Sequence, residues 1–174
     1  MPKLIAIIIE LAIFVCACWV LSFFSLFVHE IGHAIGYMIA TGNGKWHVRV
    51  GWGKHLINTK GLTINLIPLD GFFKPLEKGK VDTMPKMIAM LLGGPIASLV
   101  LVIVLAVLKF GGVVVNSEVI SSSAIESLIS IAFFFNVFIL VLSALPIHYF
   151  FGEVRGLESD GLQIINAIKS QRRR

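Results

Sequence analysis

Charge is scarce in this chain. Only 14% of its 174 residues are Asp, Glu, Lys or Arg, against 56% hydrophobic, whereas soluble globular domains carry about a quarter charged. That shortage excludes an ordinary water-soluble domain and points to a core that largely faces lipid. Cysteine is nearly missing as well. Cys16 and Cys18 lie two apart in an apolar run, where a helix sends them to different faces, so they read as small core residues rather than a disulfide. Acidic residues are the scarcer sign, 10 against 15 Lys and Arg, for a net charge of +5. With this hydrophobicity the basic excess suits an anionic membrane surface, and nucleic acid is not an expected partner. The N-terminal run "MPKLIAIIIELAIFVCACWVLSFFSLF" lacks a small-x-small cleavage site and is too long for a signal-peptide core, which predicts a retained membrane helix.

What is present is three apolar stretches, about 4–40, 84–108 and 124–146, each long enough to span a bilayer. The first exceeds the ~20 residues a span needs, and is compatible with one tilted helix or with a break near Ser22 and Ser25. Lys45, Arg49, Lys54, Lys60, Lys74, Lys78, Lys80 and Lys86 lie between or beside the first two stretches, and Arg155, Lys169, Arg172, Arg173 and Arg174 follow the third. The opposite side has Lys3 and Lys109. The positive-inside rule then predicts an outside N-terminus and a cytoplasmic C-terminus.

Between the first two stretches, at about 45–73, the period changes. "KWHVRVGW" alternates, with Trp46, Val48, Val50 and Trp52 on one face, and "GLTINLIP" is a second strand candidate. Together they predict a small hairpin packed against the membrane region, where backbone groups must be paired. Near the C-terminus, Ser159 is a candidate N-cap for a short amphipathic helix at about 159–171, with Leu162, Ile165 and Ile168 at helical spacing and a basic end suited to lipid headgroups.

The ionisable residues inside the first apolar run carry the chemistry. "HEIGH" at 29–33 is H-E-x-x-H. On a helix His29 and His33, four apart, share one face and can hold one zinc ion, while Glu30 is placed to act as general base on zinc-bound water. The structural alternative is a polar cluster lining a helix contact or an ion pathway, since ionisable groups at membrane depth are expensive and functional by default. A catalytic zinc needs a third protein ligand, and Asp70, Asp160, Glu153 and His148 are the candidates.

H-E-x-x-H within an apolar helix resembles the site-2 protease family of intramembrane zinc metalloproteases. "VRVGWGKHL" followed by "LTINLIPLDGFFKPLE" is similar to the family's stretch after the zinc helix, "GGPIAS" to its Gly-Pro motif, and "ALPI…ESDG" to its third-helix motif. The resemblance implies a compact α-helical membrane core, one domain over 1–174, three transmembrane helices and a membrane-associated β-hairpin that takes substrate as an added strand. It implies His29, His33 and Asp160 as zinc ligands and Glu30 as general base, with Asp70 the rival third ligand. The chain departs from the family pattern at Ser98 and Ser143, where asparagine is usual. Asn136, two helical turns before Ser143, is a candidate replacement amide for the oxyanion. Asn65, Leu66, Ile67, Gly94 and Pro95 are candidate substrate contacts.

The expected function is therefore zinc-dependent hydrolysis of peptide bonds in membrane-embedded or membrane-proximal substrates, in a bacterial cell membrane. Two other classes fit the same residues: an inactive scaffold or regulator of this fold, and a metal or proton transporter. A transporter predicts internal repeats or more polar spans, and neither is visible.

Overall fold

The computed structural model describes residues 2–111, 122–150 and 152–172. Arg173 and Arg174, part of the basic tail, lie outside the described residues. The chain forms helix α1 (Pro2–Thr41), strands β1 (Trp46–Asn58) and β2 (Leu62–Pro75), and helices α2 (Met84–Phe110), α3 (Ser122–Ala144) and α4 (Asp160–Gln171). Helices dominate, and α1, α2 and α3 are each long and apolar enough to cross a membrane.

The first apolar stretch is one continuous helix of 40 residues. Ser22 and Ser25 do not break it, because each hydroxyl donates to a carbonyl one turn back, on Cys18 (2.9 Å) and Leu21 (2.8 Å). That back-bonding satisfies the hydroxyl inside the helix. Leu4, Ile7, Ile8 and Leu11 are exposed, a surface suited to hydrocarbon rather than water.

Small residues set the crossing of α1 and α2. A side chain at Gly32 would strike the Gly93 carbonyl and Ala97, and one at Gly36 the Ala89 carbonyl. The helices therefore touch backbone to backbone, the close approach that small residues allow between membrane helices. Pro95 is carried inside α2 without ending it. A buried cluster of Leu26, Val48, Val50 and Ile139 joins α1, the sheet and α3.

The hairpin is more tightly folded than alternation predicts. β1 and β2 form one antiparallel sheet, but Val48 is paired with both Phe73 and Leu62, and Val50 with both Gly71 and Ile64. Residues 48–50 thus have partners on both sides. The bend that permits this lies at Gly51 (φ 85°) and Gly53 (φ 87°), in a backbone region where side chains are strained. Asn65 stabilises the bend, donating from Nδ2 to the Gly51 carbonyl (2.9 Å) and accepting at Oδ1 from His55 Nδ1 (2.7 Å). Trp19 Nε1 donates to the Leu66 carbonyl (3.0 Å), so the sheet runs along α1 to about 15 Å from His29 at helical rise.

Helix α4 starts where expected, with the Ser159 hydroxyl accepting from the Leu162 amide (3.2 Å) as an N-cap. Between α3 and α4, residues 147–150 and 152–159 form a small hairpin of their own. The Tyr149 amide donates to Leu157 O (2.9 Å), the Gly156 amide to Tyr149 O (2.7 Å) and the Ser159 amide to Ile147 O (2.9 Å). Among the described residues, the stretch between Pro146 and Asp160 is thus hydrogen-bonded within itself.

Candidate metal centre

His29 and His33 face α2 from one side of α1, and Asp160 reaches them from the first turn of α4. Their Nε2 atoms lie 3.2 Å apart, and Asp160 Oδ2 lies 3.5 Å from His29 Nε2 and 3.3 Å from His33 Nε2. All three residues are buried. Two ligand atoms held ~2.0–2.1 Å from a tetrahedral ion stand roughly 3.3 Å apart, so this triangle has the dimensions of three ligands around one metal.

Hydrogen bonding fits the same occupant. The Met90 carbonyl can only accept, so His33 Nδ1–H must donate to it (2.9 Å), leaving Nε2 of the neutral ring as a lone pair. That lone pair faces a second imidazole nitrogen and a carboxylate oxygen across an apolar interior, an arrangement that calls for a cation. His29 Nδ1 pairs with Ser98 Oγ (2.8 Å), and Ser143 Oγ donates to Asp160 Oδ2 (2.7 Å). Each ligand thus has an orienting partner, as metal ligands generally do.

These contacts give Ser98 and Ser143 a place that the sequence did not reveal: the two departures from the resembled pattern are the residues that hold His29 and Asp160. The signal was present only as two small polar residues inside apolar helices.

The triad opens on a cavity of about 380 Å³, lined among others by Glu30, Gly71, Phe73, Tyr149 and Leu157. Glu30 is buried and is not one of the three metal-spaced groups. Its carboxylate packs against Gly71, where a side chain would overlap it. Tyr149 was not singled out by sequence reasoning, because it lies in a connecting stretch without periodicity.

Other predicted site residues lie elsewhere. Asp70 is ion-paired with Arg49 (3.6 Å) and is not part of the metal-spaced group. Glu153 also pairs with Arg49, and His148 bridges Glu158 in the small hairpin. Asn136 is fully buried, with Nδ2 donating to Ser25 Oγ (2.8 Å) and Ala132 O (2.8 Å). Both amide hydrogens are therefore committed, leaving none for an oxyanion. Asn65 is 1% exposed and spent on the bend, Leu66 has its carbonyl on Trp19, and Ile67 pairs with Trp52. None of the three lines the cavity. The segment that does is Gly71–Pro75, whose inner side is covered by 46–50 and whose outer side has no paired strand among the described residues. Gly94 lies directly against both imidazoles, whereas Pro95 does not line the cavity.

Comparison of the chain with protein-family models, with curated proteins and with solved structures finds no match.

Proposed function

We propose that this chain is a zinc-dependent intramembrane endopeptidase of the site-2 protease type, cutting membrane-embedded or membrane-proximal peptides. The observation that carries the proposal is the His29–His33–Asp160 triangle, metal-sized and backed by hydrogen-bond partners, with a carboxylate outside the ligand set at the same cavity. His29, His33 and Asp160 would hold zinc. When bound, zinc would bring a coordinated water towards neutral pKa and polarise the scissile carbonyl.

The remaining work falls to residues of the chain. Glu30 takes the proton from the attacking water and delivers it to the leaving amine. The outer edge of Gly71–Pro75 binds the substrate as an added strand, which extends it and brings its carbonyls to the cavity. This moves the substrate edge from 65–67 to the segment beside the metal ligands. Among the described residues Tyr149 carries the only hydroxyl lining the cavity, and burial raises its phenol, so it keeps the proton it would donate to the developing oxyanion. Tyr149→Phe should then lower kcat by ~10²–10³-fold with KM and bound zinc unchanged. Wild-type kcat in this variant would remove Tyr149 from that role. The basic loops and tail support a cytoplasmic placement of the metal end of α1.

The proposal is tested on the purified chain in lipid nanodiscs. Metal analysis should find about one zinc per chain, cleavage of membrane-peptide substrates should stop on chelation, and added zinc should restore it. Activity that survives complete zinc removal refutes the metalloprotease reading. Failure to bind zinc under metal-replete conditions would instead favour an inactive scaffold of the same architecture.

A further inference from the structure

Asp70 has no part in the metal centre, yet it is 4% exposed and its Oδ1 has no hydrogen-bond partner. Its surroundings connect three elements. On one side, Oδ2 accepts from the Glu153 amide (2.7 Å) at the tip of the 147–159 hairpin. Gly152 precedes that amide at φ 68°, and a side chain there would overlap Asp70 Oδ2. From β1, Arg49 reaches both Asp70 (3.6 Å) and the Glu153 carboxylate. On the other side, the next residue, Gly71, has Glu30 packed onto it. Asp70 and Gly71 therefore sit between the carboxylate proposed as general base and the hairpin that carries Tyr149 and leads into Asp160.

We propose that Asp70 is a positioning residue: with Arg49 it clasps the hairpin tip at Gly152–Glu153 onto β2, and so fixes Tyr149 and Asp160 relative to Glu30. The energetic logic is that of a buried ion pair. A carboxylate this deep is tolerated only while its partners remain, and removing one leaves a strongly unfavourable buried charge. The hairpin's own hydrogen bonds tie its two arms to each other, whereas the clasp ties its tip to β2. Among its described residues Val154 is the buried apolar one, and the clasp lies beside it.

The catalytic half of this inference rests on the proposed endopeptidase reading, whereas the clasp itself does not, and the experiment separates them. Hydrogen exchange is followed by mass spectrometry on the full chain in nanodiscs, for wild type, Asp70→Ala and Asp70→Asn, alongside zinc content and steady-state cleavage. In Asp70→Ala the amides of Tyr149, Leu157 and Ser159 should exchange at least ~10-fold faster while α1 and α2 keep their protection. Zinc should remain bound, and kcat should fall with little change in KM. Asp70→Asn keeps an oxygen for the Glu153 amide and should recover most of the protection and kcat. Should Asp70→Ala not fold, Gly152→Ala reports on the same joint, because its methyl displaces Asp70 Oδ2. Unchanged exchange in 147–159, or a rise spread equally over the membrane helices, overturns the clasp whether or not any variant cleaves. Loss of zinc from Asp70→Asn would make Asp70 a ligand and overturn it too. Intact faster exchange with unchanged kcat would overturn the positioning role.

Discussion

Glu30→Gln should yield a protein that still binds zinc and does not cleave, with kcat lowered at least ~10²–10⁴-fold, the range expected when a positioned general base is removed. The two expectations have separate structural causes. Zinc retention follows from geometry, since the metal-spaced atoms belong to His29, His33 and Asp160, and each has an orienting partner in Ser98, Met90 or Ser143. Glutamine has nearly the shape of glutamate, so it also keeps the packing against Gly71. Loss of activity follows from chemistry, because a carboxamide cannot take a proton from water. Zinc analysis and single-turnover cleavage of one membrane peptide check both. Loss of zinc would move Glu30 into the ligand set or its support. Wild-type turnover would place the base elsewhere in the cavity.

Much of this was legible because it is periodic. Apolar runs gave the three helices, and the i, i+4 spacing of His29 and His33 gave a shared face. Periodicity says nothing about distant partners. Asp160 was one of four candidate third ligands and was preferred only through the resemblance, because a carboxylate at the start of α4 gains its meaning from where α4 docks. Ser98 and Ser143 read as substitutions in a pattern, and they hydrogen-bond His29 and Asp160. Their hydroxyls reach positions fixed by the α1–α2 and α3–α4 contacts. Asn136 was placed on a plausible face of α3, but the neighbour on that face is Ser25. The strand segment that lines the cavity was hidden for a different reason. Alternation marks both strands alike, and nothing local tells that Gly51 and Gly53 bend β1 so that residues 48–50 are covered twice. Among the described residues Gly71–Pro75 then has an unpaired outer side, beside His29, His33 and Asp160.

Gly94→Ala should abolish the metal centre with a single methyl group. A Cβ at Gly94 would fall on His33 Nε2 and Cε1 and near His29 Nε2, the atoms that face the ion. Retreat of either ring towards the cavity would cost it an orienting bond. His33 is held by the Met90 carbonyl and His29 by Ser98, both on α2 with Gly94 itself, so moving the helix apart also breaks those bonds. The crossing at Gly32 and Gly93 is already backbone to backbone. Zinc affinity should therefore fall by more than the ~10–100-fold typical of losing one orienting partner. Stability supplies the decisive readout, since a ligand that binds only the folded state raises the melting temperature. Wild type should show a zinc-dependent rise in Tm, and Gly94→Ala should melt near the zinc-free wild type with or without added metal. Gly44→Ala is the control, because nothing lies within 4 Å of its added methyl, and it should respond to zinc as wild type does. A zinc response preserved in Gly94→Ala would mean that the two imidazoles do not meet the ion on the side facing α2, and the triangle would have to be redrawn around another carboxylate.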